Sequence, residues 1–248
     1  QVEAIGRELN DQGEAIDGLL LNAGLQYAGH RQVRRSAQGV ELTIAVNHLA
    51  HQRLLMDLLP LLHQSAAPRV VITASEVHNP ASGGGRVGRP ACLGDLSGLE
   101  QRSEMVNGEP PFDADKAYKD SKLCNLLMGR HLARLQPQWP VICWSPGLVI
   151  PRSRDGFFRN SREANPIGQA LFGFVARDLL RLTEHPQRAA ELLLRLMLDP
   201  AMPQGFSYWS NELLGPGRHQ FACTETSAEA ADDAKAARLW QLSEQLIQ

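Results

Sequence analysis

The chain alternates short, wholly apolar runs with longer stretches of helical period. Gly18–Leu21 (GLLL), Arg69–Ala74 (RVVITA) and Val141–Trp144 (VICW) carry apolar residues without a polar alternation, the pattern of strands buried on both faces. Each run is stopped by turn-forming residues: Asn22-Ala23-Gly24, then Ser75, then Ser145-Pro146-Gly147. Gly39–Leu62 repeats apolar residues at helical spacing (Val46, Leu49, Leu54, Leu58, Leu62), and Asp113–Leu135 predicts a long helix that Asp113 or Asp115 can cap. Gln1–Asp11 has the pattern of the tail of an amphipathic helix. Two more helices are predicted around Gln169–Leu182 and Pro186–Leu198, a last short strand at Phe206–Trp209, and a C-terminal helix over Ala228–Leu246.

Strands separated by helices predict an α/β fold: a doubly wound, Rossmann-type parallel sheet with right-handed crossovers and helices on both faces. Ligands of such sheets sit at the carboxyl ends of the strands. Asn22, Ser75 and Pro146-Gly147 fall at those ends.

Composition narrows the picture. We take residues 1–248 as a single domain. A net charge of -2 with scattered basic residues gives no nucleic-acid surface. One modest cluster stands out: Arg152, Arg154, Arg159 and Arg162. No apolar run reaches the ~18–20 residues of a membrane span, and the polar start is expected to be neither a signal peptide nor a transit sequence. Cys92, Cys124, Cys143 and Cys223 lie far apart without a CxxC pair. Neither a metal site nor a disulfide framework is expected, and a reducing, cytoplasmic setting is.

The sharpest chemical signal is Tyr118-Lys119-Asp120-Ser121-Lys122. Tyr118 and Lys122, four apart on a helix, share a face. A phenol near pKa ~10 is a poor proton carrier at neutrality, and an ammonium one turn away is expected to lower it. Ser75 can hydrogen-bond the same substrate oxygen. Tyr-x-x-x-Lys alone is common in helices. Its weight comes from order: Asn22-Ala23-Gly24, Asn47, Ser75, Tyr118/Lys122 and Pro146-Gly147, each at an element boundary.

That ordered set resembles the short-chain dehydrogenase/reductase family over essentially the whole chain. The resemblance implies an NADPH-dependent oxidoreductase. Asn22, Ala23 and Gly24 would flank the cofactor, and Asn47 would organise a water near Lys122. Ser75 and Tyr118 would polarise or protonate substrate, Lys122 would also hold the nicotinamide ribose, and Pro146 and Gly147 would border the nicotinamide. A closer likeness is to the light-dependent protochlorophyllide reductases. It is carried by Leu93–Leu99, by Lys116-Ala117-Tyr118-Lys119-Asp120-Ser121-Lys122-Leu123-Cys124-Asn125, by Tyr208-Trp209-Ser210 and by the tail from Asp232 to Leu246. It implies a hydride passed to a pigment double bond, a proton from Tyr118, and a place in chlorophyll biosynthesis and photosynthesis.

Two positions depart from that subgroup. Leu148 stands where a cysteine usually follows the Pro-Gly, and Glu76-Val77-His78 follows Ser75 where small residues are the rule. They keep reductase chemistry and put the pigment in question. An apolar carbonyl or alcohol of the retinoid kind is the alternative substrate. A non-catalytic pigment- or partner-binding relative is the third reading, against which the retained Tyr118, Lys122, Ser75 and Asn47 argue.

Other features carry less. Complete family members open with a strand, a Gly-rich turn and a helix, then a second βα unit. None precedes Gln1, so roughly 60–80 residues are expected to be absent, with poor cofactor binding and an exposed sheet edge. Gly83, Gly85 and Gly88 satisfy G-x-G-x-x-G, but Arg89-Pro90 follows where a helix should open. A mobile loop is expected there instead. His48 and His51 lack a third ligand and are expected to be partly exposed. Cys124 is open to two readings, lining the substrate cavity or packing as a core thiol. Phe157, Phe158, Phe172 and Phe174 lie among arginines after the Pro-Gly, the family's substrate lid. The mix suits a flat apolar ligand, a peripheral membrane contact or an ordinary amphipathic helix. Homo-oligomerisation is left open.

Overall fold

A computed structural model describes residues 1–150, 152 and 157–247; Arg154 of the arginine cluster lies outside them. The strands are β1 (Gly18–Leu21), β2 (Arg69–Thr73), β3 (Pro140–Ser145), β4 (Gly205–Gly215) and β5 (Arg218–Cys223). The helices are α1 (Val2–Gln12), α2 (Leu42–Ile44), α3 (Ala50–Leu62), α4 (Ser97–Glu100), α5 (Ala114–Leu135), α6 (Arg159–Ala164), α7 (Pro166–Gly173), α8 (Pro186–Leu198) and α9 (Asp233–Ile247). A π-helical turn, Ala45–Leu49, joins α2 to α3, and another, Phe174–Leu179, follows α7.

The sheet runs in the order β1-β2-β3-β4-β5. β1 to β4 are parallel and β5 returns antiparallel to β4. Its two faces are covered as the unbroken apolar runs require. Leu19, Leu21, Val70, Ile72, Val141, Cys143 and Tyr208 join the large core with α3, α5 and α9. Leu20, Val71, Ile142, Trp144 and Trp209 turn the other way, onto Leu192 and Leu196 of α8. At about 25 cal/mol per Å² of apolar surface, this two-sided burial is the main stabilising contribution to the sheet.

Two sequence expectations change. The last strand is not the short Phe206–Trp209 but the eleven-residue β4, and β5 was not anticipated. β5 is a polar edge strand whose half-buried and exposed residues give no continuous apolar run, so only the Gly215-Pro216-Gly217 turn marked it. The Gly-rich segment, expected to be mobile, is tied down. Lys119, 5% exposed, donates from Nζ to the carbonyls of Gly85, Val87 and Arg89, and Ser82 Oγ accepts from Gly85 N. Carbonyls that converge on a cation are the reverse of a phosphate cradle, which presents N–H groups.

Candidate active site

The carboxyl ends of β1, β2 and β3 meet the first turns of α5. Trp144 Nε1 donates to Thr73 Oγ1 at 3.0 Å, and Thr73 Oγ1 donates to Asn22 Oδ1 at 2.8 Å. The ends of three strands are linked through one hydroxyl. The turn then passes over Asn47, which sits in the π-helical turn. Such bulges re-aim a side chain out of the regular ladder. Asn47 Nδ2 donates to Leu25 O (2.9 Å) and Ser121 Oγ (3.0 Å), while Oδ1 accepts from Leu25 N (2.8 Å). One amide staples the turn to α5. A Cβ at Gly24 would lie 3.6 Å from Asn47 Oδ1 and 3.8 Å from Lys122 Nζ, so the turn rests directly on both.

α5 is fixed from its first residue. Asp113 caps it, accepting from Lys116 N at 2.9 Å. Lys116 and Asp120, both buried, pair at 2.5 Å and clasp the backbone of Cys92 from both sides. With the helix so held, Lys122 Nζ donates to Thr73 O at 2.9 Å and lies 5.7 Å from the centre of the Tyr118 ring. Phe157 packs on the same ring at 5.3 Å. Ser75 ends the strand segment beside Tyr118 and hydrogen-bonds it.

The electrostatics differ from the expected tuning. Burial pushes the Tyr118 phenol up to about 12, and the Ser75 hydrogen bond works the other way. Burial pulls Lys122 down to about 8. Lys122 is not among the influences on the phenol, and its Nζ donates to the Thr73 carbonyl. The arrangement holds a neutral phenol, an acid ready to protonate a strongly basic oxygen or carbon, beside a lysine that gives up its proton readily.

Pro146 and Gly147 follow directly on β3, at the carboxyl end of the sheet. Gly147 has φ +79°, and a Cβ there would strike Asn211 O at 2.8 Å, so the bare backbone is a steric requirement. Asn211 Nδ2 donates to Pro146 O (3.2 Å) and to Glu184 Oε2 (2.9 Å), and Leu148 O accepts from Glu184 N (2.8 Å). Leu148 and Phe157 pack against Ile150, Phe158 and Ala176, an apolar wall facing Tyr118. The half-buried Glu76 carboxyl is raised by burial, and Glu212 adds to the rise. Thr73, Lys119, Asn211 and Glu184 were missed in the sequence. The lysine lay in plain sight within the Tyr118 motif, and the others carried no local signal.

Some expected residues fall elsewhere. Cys124 is fully buried in the large core and its thiol is pushed well up by burial. Of its two readings, the geometry gives the packed thiol. His48 and His51 are not partly exposed: they are 0% and 3% exposed, and Ser243 of α9 meets His48 at 2.8 Å. Of the arginines, Arg152 pairs with Asp178 at 2.8 Å and Arg159 with Glu163 at 3.9 Å, while Arg162 lies over the Phe158 ring at 5.8 Å. Among the described residues no group of three or more His, Cys, Asp or Glu could hold a metal ion, and no helix is long and apolar enough to cross a membrane.

No family model matches the chain. It is 34% identical to a protochlorophyllide reductase of Avena sativa, over 94% of this chain and 74% of that protein. It is 33% identical to protochlorophyllide reductase A of Oryza sativa subsp. japonica, over 95% of this chain but 61% of that protein. The chain therefore spans about three-fifths of the rice relative's length. Among solved structures, an uncharacterised protein of Mycobacterium paratuberculosis superposes with a TM-score of 0.62 at 26% identity, over 100% of this chain and 72% of that one. A short-chain dehydrogenase of Salmonella enterica serovar Typhi agrees in fold, with a TM-score of 0.51 at 22% identity, over 84% of this chain and 68% of that one.

Proposed function

The chain belongs to the short-chain dehydrogenase/reductase family, and from that premise we propose that it carries the proton-transfer side of an NADPH-dependent reductase site. One observation carries the reading. A neutral Tyr118 phenol, a buried Lys122 one turn on and Ser75 just past a parallel strand lie together at the carboxyl end of the sheet, with Gly24 against Lys122 and Gly147 against Asn211. Those bare segments, with the donors on Lys122, fit a flat nicotinamide and its ribose: Asn22, Ala23 and Gly24 on one side, Pro146 and Gly147 on the other. NADPH supplies a hydride when bound there.

The chain's own residues do the rest. Ser75 donates to a substrate oxygen or steadies the Tyr118 hydroxyl. Tyr118 gives its proton to the site of developing negative charge, which is far more basic than a phenolate. Lys122 returns a proton to the phenolate. Asn47 keeps the turn and α5 in register, and Phe157 with Leu148 shields the transfer from water.

For the substrate we propose a flat, apolar molecule of the protochlorophyllide class, as the names of the relatives suggest. Leu148 favours a second reading, an apolar carbonyl compound, since a leucine can neither donate a proton nor bind a pigment carboxylate. Peripheral contact with a membrane is part of the proposal: Ile167, Leu171, Phe172 and Phe174 are exposed on and just after α7. The test is to bind NADPH to the purified protein, then offer protochlorophyllide under illumination and a retinoid aldehyde in the dark. Tyr118→Phe is expected to lower turnover by at least about a hundredfold, the low end of general acid catalysis, and to leave NADPH affinity intact. Lys122→Met is expected to damage both. Full activity in Tyr118→Phe would sink the mechanism; light-driven reduction of the pigment would exclude the carbonyl reading.

A further inference from the structure

Glu76-Val77-His78, which departs from the expected small residues after Ser75, meets Tyr208 of the Tyr208-Trp209-Ser210 motif in the fold, and the proposed chemistry uses neither. Ala74 N still donates to Trp144 O across the sheet, at 2.8 Å. One residue on, the chain leaves the sheet for a short helical turn, Glu76–His78. Ser75 opens that turn. Its Oγ accepts from Val77 N at 3.5 Å, and Glu76 N donates to Ser145 Oγ on β3 at 3.0 Å. The Ser75 carbonyl takes two donors from His78, the backbone N at 3.3 Å and Nδ1 at 2.7 Å.

A carbonyl oxygen only accepts, so Nδ1 carries the imidazole proton. The other ring nitrogen agrees: Nε2 accepts from Ser227 N at 3.3 Å. A neutral imidazole has one donor and one acceptor, and in His78 both are placed. Those of His48 and His51 are not, since each keeps an unpartnered ring nitrogen among the described residues. His78 is 1% exposed and held neutral by burial, and Tyr208 meets its ring edge-on at 5.1 Å. A flipped ring would put carbon where both bonds are made. Ser227 is itself anchored, its Oγ accepting from Ala230 N at 3.4 Å.

We propose that His78 is a positioning residue for Ser75: its Nδ1–H holds the Ser75 carbonyl, its Nε2 ties that hold to Ser227, and the Ser75 hydroxyl is thereby aimed at Tyr118 and the substrate oxygen. The inference rests on reading Ser75 as a residue of the proton-transfer site. The link is the backbone. Two soft dihedrals set the directions of the Ser75 carbonyl and side chain together, so a carbonyl left free to turn lets the hydroxyl turn with it.

Two variants separate positioning from mere filling of space. An Asn amide nitrogen stands as far from Cβ as Nδ1 does, and a Gln amide nitrogen as far as Nε2. His78→Asn therefore keeps the donor to Ser75 O, and His78→Gln loses it. The chain has three tyrosines, Tyr27, Tyr118 and Tyr208, so carbon-13 at the tyrosine Cζ gives three signals, and Tyr118→Phe assigns the one that decides. In the unliganded protein, His78→Gln is expected to move the Tyr118 signal in the direction that Ser75→Ala moves it, and His78→Asn to leave it in place. A signal that follows Ser75→Ala but not His78→Gln overturns this inference alone. One that follows neither overturns the reading of Ser75 beneath it, and equal movement in His78→Asn and His78→Gln shows a ring that only fills space. In turnover, with NADPH and whichever of illuminated protochlorophyllide or a retinoid aldehyde is reduced, His78→Gln is expected to lower kcat by about ten- to a hundredfold and keep NADPH affinity, with His78→Asn within about threefold of the parent. Equal losses in the two variants overturn the proposal. Should His78→Gln not fold, the native protein decides: its nitrogen-15 spectrum is expected to show His78 protonated at Nδ1 and bare at Nε2, and the reverse tautomer overturns the proposal.

Discussion

His48, His51 and His78 are held neutral by burial, with pKa values drawn down to about 4, 3 and 4. Each is depressed below its unfolded value, so each contributes stability that is present above pH ~6.5 and lost as pH falls toward the folded value. Asp120 works in the opposite sense. Burial raises it to about 6 against its Lys116 partner, so its contribution is present at low pH and lost as pH rises through 6. Between pH 6 and 4 the buried histidines take up protons on unfolding, against the release from Asp120 and from Glu76 and Asp115, whose carboxyls burial also raises. Stability is expected to fall as pH drops through that window, the histidines outweighing the carboxyls. Urea midpoints at successive pH values check this, and a flat or rising midpoint would contradict the burial argument. The same residues show what a sequence withholds at this scale. Asn47, Ser75, Tyr118 and Lys122 were legible because their spacing relative to strand ends is itself the signal. The burial of His48 was not, because the helix that meets it is written some 190 residues later, at Ser243.

At the scale of elements, β1, β2 and β3 were legible because strands buried on both faces leave no polar alternation. β5 was not, because an edge strand needs apolar residues on neither side. The Gly-rich loop is the more instructive case. Its glycines suggest freedom, yet its conformation is imposed from outside by one buried ammonium. Lys119 sits on the helix between the two residues of the Tyr118/Lys122 pair, so its turn of α5 holds the site on one face and the loop on another. Lys119→Met is expected to strand three carbonyls and cost about 2–4 kcal/mol. It is also expected to expose the loop to trypsin after Arg86, with cleavage read by mass spectrometry before global unfolding sets in. A variant as resistant as the parent would show that the loop holds itself, through Ser82 and its own turns.

At the scale of the molecule, α9 decides what α3 and α5 present to the outside. Ala236, Leu239, Trp240 and Leu242 are buried in the large core, and His131 on α5 meets the Trp240 ring at 5.1 Å. Polar contacts lock the helix at both ends: Arg130 and Arg134 hold Asp233 at 2.9 and 2.5 Å, and Arg53 Nη1 donates to Ile247 O at 2.8 Å. Gln52 Nε2 reaches Trp240 O between them, at 2.9 Å. The helix thus occupies, within one chain, an apolar face that two chains could otherwise share. Deleting residues 233–248 removes buried leucines worth about 1.5–3 kcal/mol each, strands the Gln52 amide, and opens His48 to water. The truncated chain is expected to lose most of a typical domain's ~5–15 kcal/mol of stability and to self-associate through the uncovered face. His48 is expected to titrate near its ordinary range, which links this cut to the acid sensitivity at the residue scale. Sedimentation velocity and histidine NMR on the truncated protein read both effects. A monomer whose His48 stays neutral below pH ~5 would mean that α3 and α5 seal that imidazole without α9, and that the C-terminal helix is a passenger on the fold.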